Sequence, residues 1–363
     1  MGRLSSLFNS IQTWLFPVLE EELGELGEKE REFVRLIELA KPDRFLEPFC
    51  WHGKGRPPES RLSLFKAFTA KAVFKYPGAK ALREGLRGSP KLRRLCGWEA
   101  IDEVPSESTF SRAFAEFAEA GLLLEVHAAM VKENAGEMLV GHVSRDSTAI
   151  AAREKAAAKP PPPKGEPKRR GRPKKAEARP PQELKRLDLQ LKRSLEENLE
   201  DLPKECAWGC KKGSKGKAES WRGYKLHIDT MDGGVPLSVV LTSASVHDSQ
   251  VAIPLAQMTA GRVTSLYDLM DSAYDAPQIR EFSVGQNHVP VIDANKRRGE
   301  KVEFDPAKKE RYKIRTTAER VNSELKDNYG GKSIRVQGYA KVLAHLMFGI
   351  LAITAKQLYN MLC

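Results

Sequence analysis

Cysteine is scarce. Cys50, Cys96, Cys206, Cys210 and Cys363 are five thiols in 363 residues, an odd and irregularly spaced set. They give no disulfide framework and read as reduced thiols. Long apolar runs are also missing: the most apolar stretch, Val342 to Ala355, is too short to span a bilayer and carries His345 in its middle. The opening Met-Gly-Arg-Leu-Ser-Ser lacks the charged start, apolar stretch and cleavage site of a signal peptide. No internal repeat is evident. These absences exclude a secreted disulfide scaffold and lead to the expectation of a cytoplasmic protein with no membrane partner. An excess of acid is missing too. Lys and Arg total 60 against 48 Asp and Glu, a net charge of +12. A chain this basic meets a polyanion, nucleic acid first and an anionic membrane surface second. Hydrophobic residues make up 41%, enough for a sizeable core and too many for a disordered chain. The length allows one large or two ordinary domains.

Residues 1–135 read as an all-helical, DNA-binding domain. Phe33, Leu36, Ile37 and Ala40 recur at helical spacing until Pro42, and Leu62, Phe65, Phe68 and Thr69 begin another helix. Pro105-Ser106-Glu107-Ser108 is a helix start, with Phe110, Phe114 and Phe117 along one face. Strand signals begin near Met138, with an alternating segment that ends on Asp146. Residues 151–218 read as an insertion. Between Arg153 and Arg179 stand 11 Lys/Arg against 3 Glu, and eight of the 22 prolines lie between Pro160 and Pro181. Residues 153–181 therefore read as an extended basic linker, followed by one charged helix over 182–199. Strands resume at 224–230 and 235–242 around the turn Met231-Asp232-Gly233-Gly234. A helix at 250–258, a strand at 265–271, a helix at 277–283, a strand at 289–293 and one long helix at 306–328 follow. Three consecutive strands and then alternation with helices predict a mixed α/β sheet covered by helices over residues 136–363.

Three acids stand out by position. Asp146 and Asp271 are placed at strand ends, where open α/β sheets hold their sites. The long helix offers Glu319 and Glu324. At about 100° per residue, Tyr312, Arg315, Glu319 and Lys326 fall within about 60° of one another, while Glu324 lies about 140° from Glu319. Ile314, Ala318, Val321 and Leu325 form a separate apolar stripe that can face the sheet. Three convergent carboxylates without a Cys/His cluster suit hard cations, Mg²⁺ or Mn²⁺, over Zn²⁺. Two such ions can activate a nucleophile and stabilise the leaving oxygen of a phosphodiester.

Tyr312-x2-Arg315-x3-Glu319-x6-Lys326 resembles the Tyr-Arg-Glu-Lys signature of the DDE transposases of bacterial insertion sequences. Asp271-Ser-Ala-Tyr274-Asp275 resembles that family's Asp-x-Gly-Tyr block, with Ala273 in place of glycine, and Arg145-Asp146-Ser147-Thr148 the block of its first aspartate. Trp221-Arg-Gly223-Tyr224-Lys225-Leu226-His227 and Val246-His247-Asp248 match its recurrent strand motifs. The resemblance covers roughly Gly136 to Tyr359. It implies a ribonuclease-H-like core, cleavage at element ends and strand transfer by the freed 3′-OH. It also implies Asp146, Asp271 and Glu319 as catalytic metal ligands for two ions, with Tyr312, Arg315 and Lys326 on the DNA backbone. The partners implied are double-stranded DNA, both element ends and target, and a second copy of the chain when bound to DNA. The location implied is the cytoplasm, at the nucleoid. The 48 residues from Asp271 to Glu319 leave no room for the large β-rich insertion of some relatives (319 − 271).

Other features carry weaker readings. Arg169-Arg170-Gly171-Arg172-Pro173 resembles an AT-hook, with Arg170 and Arg172 as minor-groove contacts. Cys206 and Cys210 read as ordinary thiols, since no second ligand pair accompanies them. His227 and His247 read as packed or hydrogen-bonded. Asp248, Asp275 and Asp293 are reserve acids, each read as a cap or turn residue. Two other functions stay open: a transposase-derived DNA-binding protein that no longer cuts, and a nuclease of the same fold that does not join strands.

Overall fold

The computed structural model describes residues 2–158, 184–212, 218–295 and 303–362, apart from 52, 54 and 56. The AT-hook-like segment, with Arg170 and Arg172, lies outside the described residues, as do most of the basic linker and Cys363.

Eight helices come first: α1 Gly2–Ser10, α2 Phe16–Leu23, α3 Glu28–Ala40, α4 Arg61–Val73, α5 Ala79–Gly88, α6 Pro90–Leu95, α7 Glu107–Glu119 and α8 Leu122–Ala135. Helix α4 starts where the Ser60 side chain accepts from the Ser63 N–H, and α7 where Ser106 accepts from the Thr109 N–H. Each cap satisfies a donor the first turn leaves open. Phe110, Phe114 and Phe117 of α7 are buried against Phe65 and Phe68 of α4.

The sheet follows, as β1 Leu139–Ala151, β2 Ala207–Lys212, β3 Ala218–Met231, β4 Pro236–Ser243, β5 Thr264–Met270 and β6 Val289–Ile292. Its order is β2-β3-β1-β5-β6, with β4 also on β3. Strand β3 is antiparallel to β1, β2 and β4, while β1, β5 and β6 run parallel. This is the ribonuclease-H-like mixed sheet that the resemblance implied. The remaining helices are α9 Arg186–Gln190, α10 Leu195–Glu200, α11 Ser249–Ala260, α12 Pro277–Gly285, α13 Pro306–Tyr312, α14 Thr316–Asn328 and α15 Tyr339–Asn360. Helix α14 covers one face of β1 and β3, and α11 packs on β3 and β4 from the other.

Four expectations are corrected. First, Asp146 does not end β1. The strand continues for five residues because Thr148 and Ile150 are β-branched, fit the pleat and pair with Leu226 and Tyr224. Second, the segment read as insertion supplies a strand: β2 pairs with the first half of β3, from Ala207 opposite Gly223 to Lys212 opposite Ala218. Third, the one charged helix is two short ones, since Ser194 and Glu197 form a capping box that starts α10 afresh. Fourth, the long helix is broken at Lys313–Arg315 by a turn of 3₁₀ helix. The Thr316 and Thr317 hydroxyls there donate to the carbonyls of Lys313 and Ile314, competing with the α-helical ladder.

The Val342–Leu358 stripe is core. Helix α15 is the one described helix long and apolar enough to cross a membrane, yet it lies inside the protein, against α3, α4, α7 and α8 as well as α14 and β4. Its Phe348 ring stands 5.4 Å from Phe65 and 5.8 Å from Phe68, so the last helix completes the aromatic cluster of the first domain. One continuous group of buried apolar side chains runs from the N-terminal helices through α15 to the sheet. Burial stabilises each large apolar side chain in it by about 1.5–3 kcal/mol.

Candidate active site

The parallel register of β1 and β5 builds the site. Ser144 pairs with Leu269, so two residues further along each chain Asp146 comes level with Asp271. β5 has ended by then, and Asp271 turns its carboxylate onto the N–H of Ala273, 2.9 Å away, at the start of a 3₁₀ turn. Burial pushes the Asp146 carboxyl up to about 6, with Asp271 adding to the rise and Arg315 opposing it. Burial raises Asp271 as well. The Ala273 N–H and Arg315 counter the rise, and Asp248 and Asp293 add to it. The two aspartates are thus close, desolvated and mutually repelling.

Helix α14 brings the third acid. Ala318, Val321 and Leu325 are buried toward the sheet, as the stripe requires. Glu319 projects from the first turn and is half exposed, bound by the Arg315 guanidinium. The same guanidinium reaches Asp146, at 3.5 Å. Arg315 therefore bridges two of the three acids. Among the described residues, no three His, Cys, Asp or Glu side chains converge closely enough to hold a metal ion. Glu324 belongs elsewhere: its carboxylate accepts from Lys356 and Gln357 of α15. Tyr312, on α13, lies against Phe304 with its ring 5.7 Å from the Arg315 guanidinium, and burial pushes its hydroxyl up to about 12. Lys326 is further off, facing the hollow between α14 and α4. Burial lowers its ammonium, with Lys211 and Lys332 adding to the fall.

Asn322 was not visible as a site residue in the sequence. It is buried, and its side-chain N–H donates to Asp146 at 2.9 Å. Its only sequence signal is position, one turn beyond Glu319 and two beyond Arg315 on the same face. Asp248 does not cap α11. It is the anion of a 2.9 Å ion pair with Lys225. His227 is buried and bonded to Thr242, with burial pulling its ring down to about 4, while His247 bonds Ser249. Asp275 behaves as a turn residue, accepting from Arg280 and the Asn295 N–H. On the opposite face of β1, Arg145 forms a fully buried two-pronged pair with Asp229, at 2.8 and 2.7 Å.

Residues 146–355, more than half of the chain, match the family described as the transposase DDE domain. Residues 18–116 match a second family described as a transposase domain. Neither a curated protein nor a solved structure matches the chain significantly.

Proposed function

The chain belongs to the transposase DDE family, and from that premise we propose that it cuts DNA at insertion-sequence ends and joins the freed 3′-OH to target DNA. The observation that carries this reading is the level placement of Asp146 and Asp271 beneath α14, with Glu319 tethered to Asp146 through Arg315. Asp146, Asp271 and Glu319 are the proposed catalytic set. Two divalent ions, Mg²⁺ or Mn²⁺, would supply activation of the attacking oxygen and stabilisation of the leaving one. The chemistry of the donor set suits such ions, although the three carboxylates do not converge on one point while Arg315 stands among them. The set is all oxygen, and the desolvated aspartates gain from a nearby divalent charge. Asn322 orients Asp146 by its hydrogen bond. Glu319 becomes free to complete the set when Arg315 exchanges its carboxylates for phosphate, which its planar fork also suits.

Tyr312, Arg315 and Lys326 are proposed to hold the DNA backbone near the cut. Arg170 and Arg172 are proposed for an A·T-rich minor groove. The chain would act as a homodimer on DNA, in the cytoplasm at the nucleoid. The test is a strand-transfer assay with a pre-cut duplex taken from the DNA flanking the gene, a plasmid target and Mg²⁺. Joined product is expected. Nicking without joining would replace the reading by a nuclease, and binding without either by a DNA-binding protein that no longer cuts.

A further inference from the structure

Between the first helical domain and the α14–α15 turn lies a cleft whose walls are cationic. One hollow, of 340 Å³, has Lys71 and Lys75 on one side and Lys326 and Lys332 on the other. A second hollow, of 420 Å³, shares Phe68, Lys71, Phe114 and His345 with the first and adds Arg335 and Lys341. Among the described residues the only acid lining either is Asp327, already paired with Lys332. Among the described residues no carboxylate lies within ion-pair distance of Lys71, Lys75, Lys326, Arg335 or Lys341. Lys75 bonds the Asn328 side-chain oxygen at 2.9 Å.

Lys71 stands at the junction of the two hollows. Its ammonium donates to Nδ1 of His345 at 3.2 Å, and the other nitrogen of that ring donates to the Gly330 carbonyl at 3.1 Å. A neutral imidazole thus aims a lysine into the cleft without neutralising it. Burial pulls Lys71 down to about 8, and Arg335 adds to the fall. Crowded cations without counter-ions are electrostatically costly in the free protein and favourable once a polyanion enters.

Lys326 links this cleft to the acids, since it feels the charge of Asp146 from one side and lines the first hollow on the other. Resting on the reading of the chain as a DNA enzyme, we propose that the cleft is a phosphate track. A DNA strand leaving the acids passes Lys326 and runs along the outside of the protein, between the C-terminal end of α4 and the α14–α15 turn, past Lys71, Lys75, Arg335 and Lys341. The first helical domain would thereby hold the substrate from the same side as the catalytic acids.

The test is lysine footprinting of the full chain with an amine-acylating reagent, with and without a random-sequence duplex, read by mass spectrometry. Protection of Lys75 and Lys341 together with Lys326 is expected. Protection of Lys326 alone would overturn the track and leave the proposed function standing, whereas no protection of any of the three would count against the DNA reading itself. Salt titrations give a second measure. Lys75→Gln, Arg335→Gln and Lys341→Gln should each flatten the log–log salt dependence of duplex binding by about 0.9. Lys75 and Arg335 are exposed, so loss of fold does not confuse these two results. Unchanged slopes in all three variants would overturn the proposal, as would a cleft that binds inorganic phosphate but leaves duplex binding unaltered on substitution.

Discussion

Arg145 and Asp146 are neighbours on one strand and face opposite sides of the sheet. Below, Arg145 grips Asp229 with two bonds, Thr259 gives that carboxylate a third at 2.7 Å, and both charged side chains are excluded from water. Above, Asp146 is also desolvated, but its partners are the Asn322 amide, the Ser147 backbone N–H and an arginine at 3.5 Å that is shared with Glu319. The same two chemical groups make a tight pin in one place and a looser, shared contact in the other. What separates them is satisfaction. Burial raises the Asp229 carboxyl as well, but three protein bonds oppose that rise, whereas Asp146 and Asp271 share one arginine and would gain more from an incoming cation.

That contrast can be broken by substitution, beginning on the upper face. Asp146→Ala, Asp271→Ala and Glu319→Ala should each reduce strand cleavage and transfer below detection. Duplex binding in gel shifts should persist, since cations hold the DNA. A variant that instead fails to fold would show its acid to be a pin like Asp229. On the lower face, Arg145→Met should cost about 3–5 kcal/mol by stranding a buried charge, measured by denaturant unfolding. Replacing Asp229 by Leu in the same chain should restore most of that loss. No paired apolar replacement of Asp146 and Arg315 should restore activity.

Asn322→Ala sharpens the comparison, because Asn322 stands behind Asp146 as Thr259 stands behind Asp229. A loss of about 10–100-fold in activity or in Mn²⁺ affinity, with the fold intact, is expected. A smaller effect tests the acid's own energetics. The folded protein raises the Asp146 pKa to about 6, so its ionisation destabilises the fold. That penalty is absent below the unfolded value near pH 4, grows as pH rises and is complete above about 6. Asp146→Asn should therefore raise stability by about 3 kcal/mol at pH 7.5 and by nothing measurable at pH 4, in unfolding curves without metal. A destabilised variant at pH 7.5 would mean that Arg315 outweighs burial. The smallest change belongs to Glu324→Ala, which removes an ion pair with Lys356. It should cost less than about 1 kcal/mol and leave catalysis unchanged. Lost activity there would put the wrong glutamate in the site.

Much of this was legible in sequence because it is periodic or local. The stripe of Ala318, Val321 and Leu325 fixes how α14 lies, and with it which glutamate faces the acids. The turn after Met270 marks the end of β5 and so the place of Asp271. The cap at Ser106 and the phenylalanines after it define α7. What escaped depends on partners distant in the chain. β2 is a six-residue edge segment, with Trp208 exposed, no alternation of buried and exposed apolar residues and one strong instruction, its register with β3. Asn322 takes its meaning from Asp146, 176 residues away. The break before α14 is set by two threonine hydroxyls, which helical periodicity does not register. Arg145 is apparent as half of a buried pair only once β1 and β3 are aligned.

Helix α15 has a consequence for how the protein comes into being. Its Phe348 fills a gap among phenylalanines that leave the ribosome more than two hundred residues earlier. The N-terminal helices therefore emerge with an unfilled centre, and they must wait, exposed or chaperoned, until nearly the whole polypeptide has been translated. A message cut short before residue 339 is expected to yield helices that lack Phe348 and leave their aromatic cluster open on one side.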